Sequence, residues 1–241
     1  MTLTYPRSLG RTLDAVNDAL FFARTLTKAD RLAAARWIAR RQGMPGSYAS
    51  MFAPTEADFA SGIRVFTGER LSTRAGTAHI LGEEAIRALI LLDVSDRAVK
   101  AALARAQEGM NARLRDAEAS GHQVGRYCCG ICSAAYWRTL TVGGLENAEE
   151  RLALGMRDLR QSRTGDGKWR PFPFWYTVLA LSGVELPGAS RELRHAAPVC
   201  ERYLRRAAGG DAYAGRRRAL AEQVLARLYR VSPKEVTATL G

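Results

Sequence analysis

The chain has 241 residues, of which 47% are hydrophobic and 25% are charged. This composition excludes disordered, collagen-like and low-complexity proteins, and the length is enough for one domain with a core of its own. The formal charge is +12, but the arginines that dominate it are spread along the chain, which favours a solvated basic surface over a nucleic-acid site.

Helical periodicity runs through the chain, because apolar residues recur every three or four positions and sustained strand-like alternation does not occur. A Gly/Pro-rich loop separates the second predicted helix from the third. We therefore expect an all-α protein with no sheet. The predicted helices, about nine in number, cover residues 8–27, 30–42, 73–92, 95–119, 128–141, 147–161, 172–182, 190–208 and 216–231.

The predicted helices alternate in character from residue 73 onward. The segments 73–92, 128–141 and 172–182 are apolar most of the way round, whereas the helix that follows each of them carries charge on one face. This alternation is typical of stacked helical hairpins or an α/α ring, with one layer inside and the other outside. The expected organisation is a single domain, 1–241, with an N-terminal helix at 1–27, repeats over 28–230 and a C-terminal tail at 231–241.

A glycine-containing turn that is followed by an aromatic residue recurs after three of the amphipathic helices. Glycine permits the positive φ that a helix C-terminus favours, and the aromatic residue can pack back on the turn. The recurrence predicts a repeat of roughly 45–50 residues. The three turns contain Gln42, Gly46 and Tyr48; Gln161, Gly167 and Trp169; and Gly209, Gly210 and Tyr213.

The spacing of Gln161, Gly167 and Trp169 is similar to the QW-type repeat of squalene cyclases and the related prenyltransferases, which are α/α toroids. The resemblance implies an incomplete α/α toroid whose inner concave face holds a small apolar, isoprenoid-like ligand. The aspartate motifs with which that superfamily protonates isoprenes or holds diphosphate and magnesium do not occur in this sequence. A second segment, the Tyr-Cys-Cys-Gly of 127–130, resembles the W-C-x-G motif of lanthionine-synthetase cyclases, in which that cysteine binds zinc.

Chemically reactive residues cluster where the predicted inner helices begin. His79 with Glu83, Cys129 with Cys132, and Tyr176 follow one another at intervals of about 50 residues, so an α/α ring would bring them to one mouth. If the protein is an enzyme, the catalytic candidates are His79, Glu83 and Tyr176.

A zinc site is the sharpest hypothesis for these residues. His79, Cys129 and Cys132 are its predicted ligands, with Glu83 or Cys128 as a possible fourth, because zinc prefers thiolate, imidazole and carboxylate. Two alternatives stay open: the cysteines act as redox or nucleophilic thiols, or they simply pack in the core.

The aromatic residues of 169–176 also allow two interpretations. Trp169, Phe174, Trp175 and Tyr176 could line an apolar ligand pocket, or they could pack one repeat against the next. The predicted function is accordingly the binding of a small apolar ligand by a prenyltransferase-like or terpene-cyclase-like protein. The alternative is a non-catalytic helical-repeat scaffold that binds a protein or nucleic-acid partner.

The location follows from three absences in the sequence. The first residues contain no apolar leader, and the most apolar run is too short to span a bilayer. Four cysteines, three of them within five residues, are a poor disulfide framework for a chain of this length. We expect a cytoplasmic protein with reduced thiols and no membrane span.

Overall fold

The computed structural model describes residues 2–71, 73–205 and 209–229, and within these ranges the chain forms ten helices and one short hairpin. The strands β1 (Ile63–Arg64) and β2 (Arg70–Leu71) are antiparallel. The helices are α1 (Leu9–Phe21), α2 (Lys28–Ala39), α3 (Glu56–Ser61), α4 (Arg74–Leu92), α5 (Arg97–Ala119), α6 (Gly130–Leu140), α7 (Ala148–Gln161), α8 (Phe174–Ser182), α9 (Pro187–Leu204) and α10 (Ala214–Tyr229).

Polar side chains one residue ahead of α4 and α5 fix where these two helices begin. The side chain of Thr73 accepts a hydrogen bond from the backbone N–H of Gly76, and that of Asp96 accepts one from Val99. Between the two helices, Asp93 adopts the left-handed conformation that ends α4. Caps of this kind satisfy backbone donors that the helix itself leaves unpaired. They therefore set the register of the residues that α4 and α5 present to the interior.

The helices α4, α6 and α8 pack side by side at the centre of the fold. α4 contacts α6 and α6 contacts α8, while α1 lies against α4. α2 and α5 pack on α4, α7 packs on α6, and α9 contacts both α7 and α8. The central helices are buried on nearly every side, and the largest buried side chains include Tyr136, Trp137 and Tyr176. This arrangement explains why segments apolar most of the way round alternate with segments that have one charged face.

The last described helix, α10, contacts both α8 and α1, which lie at the two ends of the row α1, α4, α6 and α8. α10 packs against α9 and α8. From its first turn, Arg216 makes ion pairs with Asp14 and Asp18 of α1, at N–O distances of 2.6 and 3.3 Å. The first and last described helices are therefore held together by charge as well as by packing.

A buried polar network crosses the centre of the fold. Glu84 on α4 accepts hydrogen bonds from Arg138 Nε at 2.6 Å, from the Tyr176 hydroxyl at 2.7 Å and from Asn17 Nδ2 at 3.0 Å. Arg87 Nη1 donates to Asn17 Oδ1 at 2.7 Å. Burial acts to raise the pKa of Glu84, but Arg138, Arg87 and Tyr176 together outweigh burial and lower that pKa to about 2. The carboxylate is therefore charged and ties α1, α4, α6 and α8 together.

The all-α prediction is confirmed, with differences in detail. The short helix α3 and the hairpin of β1 and β2 lie where only a connecting segment was expected, so the expectation of no sheet at all is wrong. The predicted helix ends at 208 and 231 and the tail 231–241 lie outside the described residues. Closure of the helices into a toroid stays a prediction. No helix in the described ranges is long and apolar enough to cross a membrane.

Candidate functional site

A pocket of about 410 Å³ opens beside the first turns of α4 and α6. Ala75 and Gly76 of α4 and Leu114 and Ala117 of α5 form apolar parts of its wall. The volume lies within the range usual for small-molecule sites. Because two helices begin here, their dipoles favour negative charge in the pocket.

His79, Cys128 and Cys132 meet at this pocket. A ring nitrogen of His79 and the sulfur atoms of the two cysteines all lie within 4.8 Å of one another. His79 and Cys132 are buried, whereas Cys128 is exposed. These three residues are the group with metal-ligand geometry among the described residues.

The position of Cys128 follows from where α6 begins. The sequence predicts helix from 128, and on such a helix Cys129 and Cys132 would share a face. In the structure α6 begins at Gly130, and Cys129 is an extended N-cap residue. Cys128 therefore lies ahead of the helix, and it is Cys128 and Cys132 that come together with His79.

Cys129 takes part in the cluster in another way. Hydrogen bonds from the thiols of Cys128 and Cys132 lower the pKa of Cys129. Contacts with Cys128 and Cys129, together with burial, raise the pKa of Cys132. The N-terminus of α6 also favours negative charge on these cysteines.

Behind His79 lies the buried carboxylate of Glu83, one turn along α4. Glu83 Oε1 is 3.2 Å from His79 Nε2. Apart from this contact, both ring nitrogens and both carboxylate oxygens are buried without a hydrogen-bond partner. Burial raises the pKa of Glu83, while the nearby imidazole opposes that rise. Unpaired polar atoms at this depth are costly. His79 and Glu83 are therefore the residues of the site that most lack hydrogen-bond partners.

Two tyrosines fix the plane of the His79 ring. Tyr127 stacks on it with ring centroids 4.3 Å apart, and the centroid of Tyr48 lies 4.9 Å from it. The two tyrosine hydroxyls contact each other, and Arg113 Nε donates to the Tyr48 hydroxyl at 3.2 Å. The imidazole is thus packed against two linked tyrosine rings at the wall of the pocket.

No protein-family model, curated protein or solved structure matches this chain. The resemblances to squalene cyclases, prenyltransferases and lanthionine-synthetase cyclases therefore stay predictions. The chemistry of the site has to be argued from its own residues.

The third catalytic candidate, Tyr176, lies apart from the pocket at His79. Its hydroxyl donates to Glu84, and its backbone N–H donates to Glu69 at 2.9 Å. Glu83 and Glu84 are neighbours, but adjacent helical residues point in directions about 100° apart. Glu83 consequently faces His79, whereas Glu84 faces Tyr176 and the network at the centre of the fold.

The predicted ligand-binding aromatic residues contact protein groups. Trp169 Nε1 donates to Glu192 on α9 at 2.9 Å, and its ring stacks near Phe174. Trp175 packs edge-on against Tyr203. Among the described residues that line the pocket at His79, none belongs to this aromatic group. Its role in ligand binding stays a prediction.

Two residues of the pocket carried no functional signal in the sequence. Tyr48 was interpreted only as the aromatic residue of a repeat turn, and Arg113 belongs to a helix with a generally charged face. Both reach the pocket through tertiary packing of the 43–55 loop and of α5 against α4. His122, which follows α5, lines the same pocket.

Proposed function

We propose that this protein binds a small, largely apolar ligand in the pocket beside α4 and α6, next to a zinc ion held by His79, Cys128 and Cys132. The observation that carries the proposal is the meeting of these three ligand atoms within 4.8 Å at the pocket wall. Two thiolates and an imidazole form a donor set that suits zinc.

The separations of the donor atoms fit a tetrahedral ion. With Zn–S bonds of about 2.3 Å, two sulfurs of a tetrahedral site lie about 3.8 Å apart. Since the three atoms are already within 4.8 Å of one another, shortening by about 1 Å at most would complete the geometry. Side-chain rotation at the exposed Cys128 can supply much of this movement.

His79 has the environment expected of a metal ligand. Its Nε2 faces Glu83, which leaves Nδ1, buried and unpaired, for the metal. A carboxylate that accepts the second ring N–H of a ligating histidine fixes the tautomer and makes the ring a better donor. Glu83 would have this positioning role, and both ring nitrogens of His79 would then have a partner.

Three protein ligands leave one coordination position toward the pocket. A zinc ion with an open position polarises a bound oxygen or lowers the pKa of a bound water or thiol. The apolar wall of Ala75, Leu114 and Ala117 would hold the body of the ligand against it. An isoprenoid-like skeleton of about ten carbons suits a volume of about 410 Å³.

Elemental analysis of matched variants tests the zinc site. We expect one zinc per purified wild-type chain, and loss of that zinc in Cys128→Ser and in Cys132→Ser. Cys200→Ser makes the same chemical change at a buried cysteine of α9 and is expected to keep the metal. Cys129→Ser is also expected to keep it. Zinc-free wild type, or zinc retained in both Cys128→Ser and Cys132→Ser, would refute the site.

Pocket filling tests the ligand separately from the metal. Ala75 lies on the first turn of α4, is exposed, and lines the pocket, so Ala75→Trp should fit without disturbing the core. In calorimetry we expect geraniol to bind wild type, and to bind this variant with an affinity at least tenfold lower. The zinc content should be unchanged. Equal affinities would place the ligand elsewhere.

A second candidate function, a scaffold for nucleic acid, rests on a basic surface formed by α9 and the C-terminal end of α7 with the residues just after it. Arg160, Arg163, Arg191 and Arg194 surround one shallow depression with His195. Phosphate contacts by arginine give binding that weakens steeply with salt. A labelled single-stranded RNA should then bind with strong salt dependence and lose affinity in Arg191→Gln. Absence of binding at low salt would dispose of this candidate.

A further inference from the structure

The arginines that line the pocket differ in whether they pair with a carboxylate in the described part of the chain. Arg151 pairs with Glu118, with Nη2 and Oε2 3.1 Å apart, and Arg126 Nη1 lies 3.3 Å from Asp158 Oδ2. Arg113 also lines the pocket, but no carboxylate lies within ion-pair distance of it among the described residues. Of the three arginines that line the pocket in the described part of the chain, Arg113 is therefore the one without a carboxylate at ion-pair distance.

Arg113 is anchored at the pocket although it is exposed. Its Nε donates to the Tyr48 hydroxyl at 3.2 Å, and Tyr48 in turn contacts Tyr127 and the His79 ring. Within the described part of the chain, the two Nη groups donate to no protein acceptor. The edge of the guanidinium that bears two parallel N–H donors is consequently available to a ligand.

A second observation points to an anion in the same place. Arg151 is 2% exposed and lines the pocket, and its Nε is buried without a hydrogen-bond partner. The N-termini of α4 and α6 open into the pocket as well. The Nε of Arg151 is enclosed by protein, so it contributes positive potential at the pocket wall and no direct contact, and the helix N-termini favour negative charge as well.

We infer that the ligand of this pocket carries a carboxylate, which Arg113 binds at the pocket mouth while the apolar body lies along α4 and α5. This inference rests on the proposed function, since it names the chemical class of the same ligand. The planar guanidinium presents two parallel N–H donors that match the two oxygens of a carboxylate. The one positive charge of Arg113 balances the single negative charge of a carboxylate, and a phosphate dianion would leave charge in excess.

A pair of compounds with one skeleton tests the inference. Calorimetry compares geranic acid with geraniol, and geranyl phosphate serves as the dianionic probe. For wild type we expect geranic acid to bind about tenfold to a hundredfold more tightly than geraniol, which is the range of a charge-assisted hydrogen bond. We expect geranyl phosphate to bind no more tightly than geranic acid.

Three variants assign the preference to Arg113. Arg113→Gln should abolish the preference for the acid, taken as the ratio of the two affinities in the same variant, and Arg113→Lys should keep part of it. Arg115→Gln removes the same charge from the same helix, but Arg115 pairs with Glu108 and Glu146 and does not line the pocket. That control should behave as wild type.

The outcomes separate this inference from the proposed function. If geraniol binds and the acid has no advantage, or if Arg113→Gln keeps the advantage, the inference is overturned while the pocket stands. If geranyl phosphate binds more tightly than geranic acid, the ligand's anionic group is not a carboxylate. If zinc-free Cys128→Ser loses the preference for the acid and Arg113→Gln keeps it, the carboxylate binds the metal and not Arg113. If neither compound binds wild type, both the pocket proposal and the inference fail.

Discussion

Replacement of Glu84 by glutamine is the sharpest test of the fold. The change is nearly isosteric, so it leaves the packing of α4 in place and removes only the negative charge that Arg138 and Tyr176 contact. The side chains of Arg138 and Glu84 are 6% and 7% exposed. The variant would therefore leave a buried guanidinium opposite a neutral amide.

The cost of breaking a buried ion pair and the lowered pKa of Glu84 give the same size of effect. Removal of one partner of a buried ion pair costs about 3–5 kcal/mol in comparable proteins. The pKa of Glu84 is lowered from 4.5 to about 2, and a shift of that size corresponds to about 3 kcal/mol of unfolding free energy at neutral pH. We expect Glu84→Gln to lose about 3 kcal/mol at pH 7, by the same estimates.

Urea unfolding followed by circular dichroism measures this loss at a series of pH values. Because the pKa of Glu84 is lower in the folded state, its contribution is complete above about pH 4.5 and is lost as the pH falls toward 2. The curves of wild type and variant should therefore converge in acid. Glu108→Gln, at an exposed pair with Arg115, should change little. A loss below about 1 kcal/mol at pH 7, or one that persists unchanged in acid, would contradict the reasoning.

Three further predictions follow from particular contacts. Trp169→Phe removes the hydrogen bond from Nε1 to Glu192 and should cost about 1.5–3 kcal/mol in urea unfolding; an unchanged midpoint would show that the bond is not stabilising. Gly125→Ala should lower the melting temperature clearly in calorimetry, because Gly125 has φ +83° and an added Cβ would lie 2.5 Å from the backbone nitrogen of Gly155. Glu83→Gln should weaken zinc binding by about tenfold to a hundredfold in chelator competition, and wild-type affinity would remove Glu83 from the site.

The helices were predictable because their signals are local. The segments 73–92 and 128–141 are apolar around most of the helix circumference, as buried helices require. The charged faces of α5 and α7 indicate the outer layer. Gly46 and Gly167 have φ values of +87° and +86°, as predicted for turns after helices. The hairpin of β1 and β2 was missed because two residues per strand are too few to show alternation.

The candidate site was predictable only in part. His79 and Glu83 were singled out by their spacing on one helix, which depends on local geometry alone. The choice between Cys128 and Cys129 depended on the first residue of α6, and helix ends are the least certain feature of a sequence. Tyr48 and Arg113 could not be found, since their approach to His79 depends on how separate segments pack.

X-ray absorption at the zinc edge of the purified protein tests the central claim most directly. We predict two sulfur ligands at about 2.3 Å, one imidazole nitrogen at about 2.0–2.1 Å and one further light atom. Cys129→Ser should leave this spectrum unchanged, and Cys128→Ser should abolish it. A site with three or four sulfurs, a site without imidazole, or protein that takes up no zinc would contradict the assignment of His79, Cys128 and Cys132.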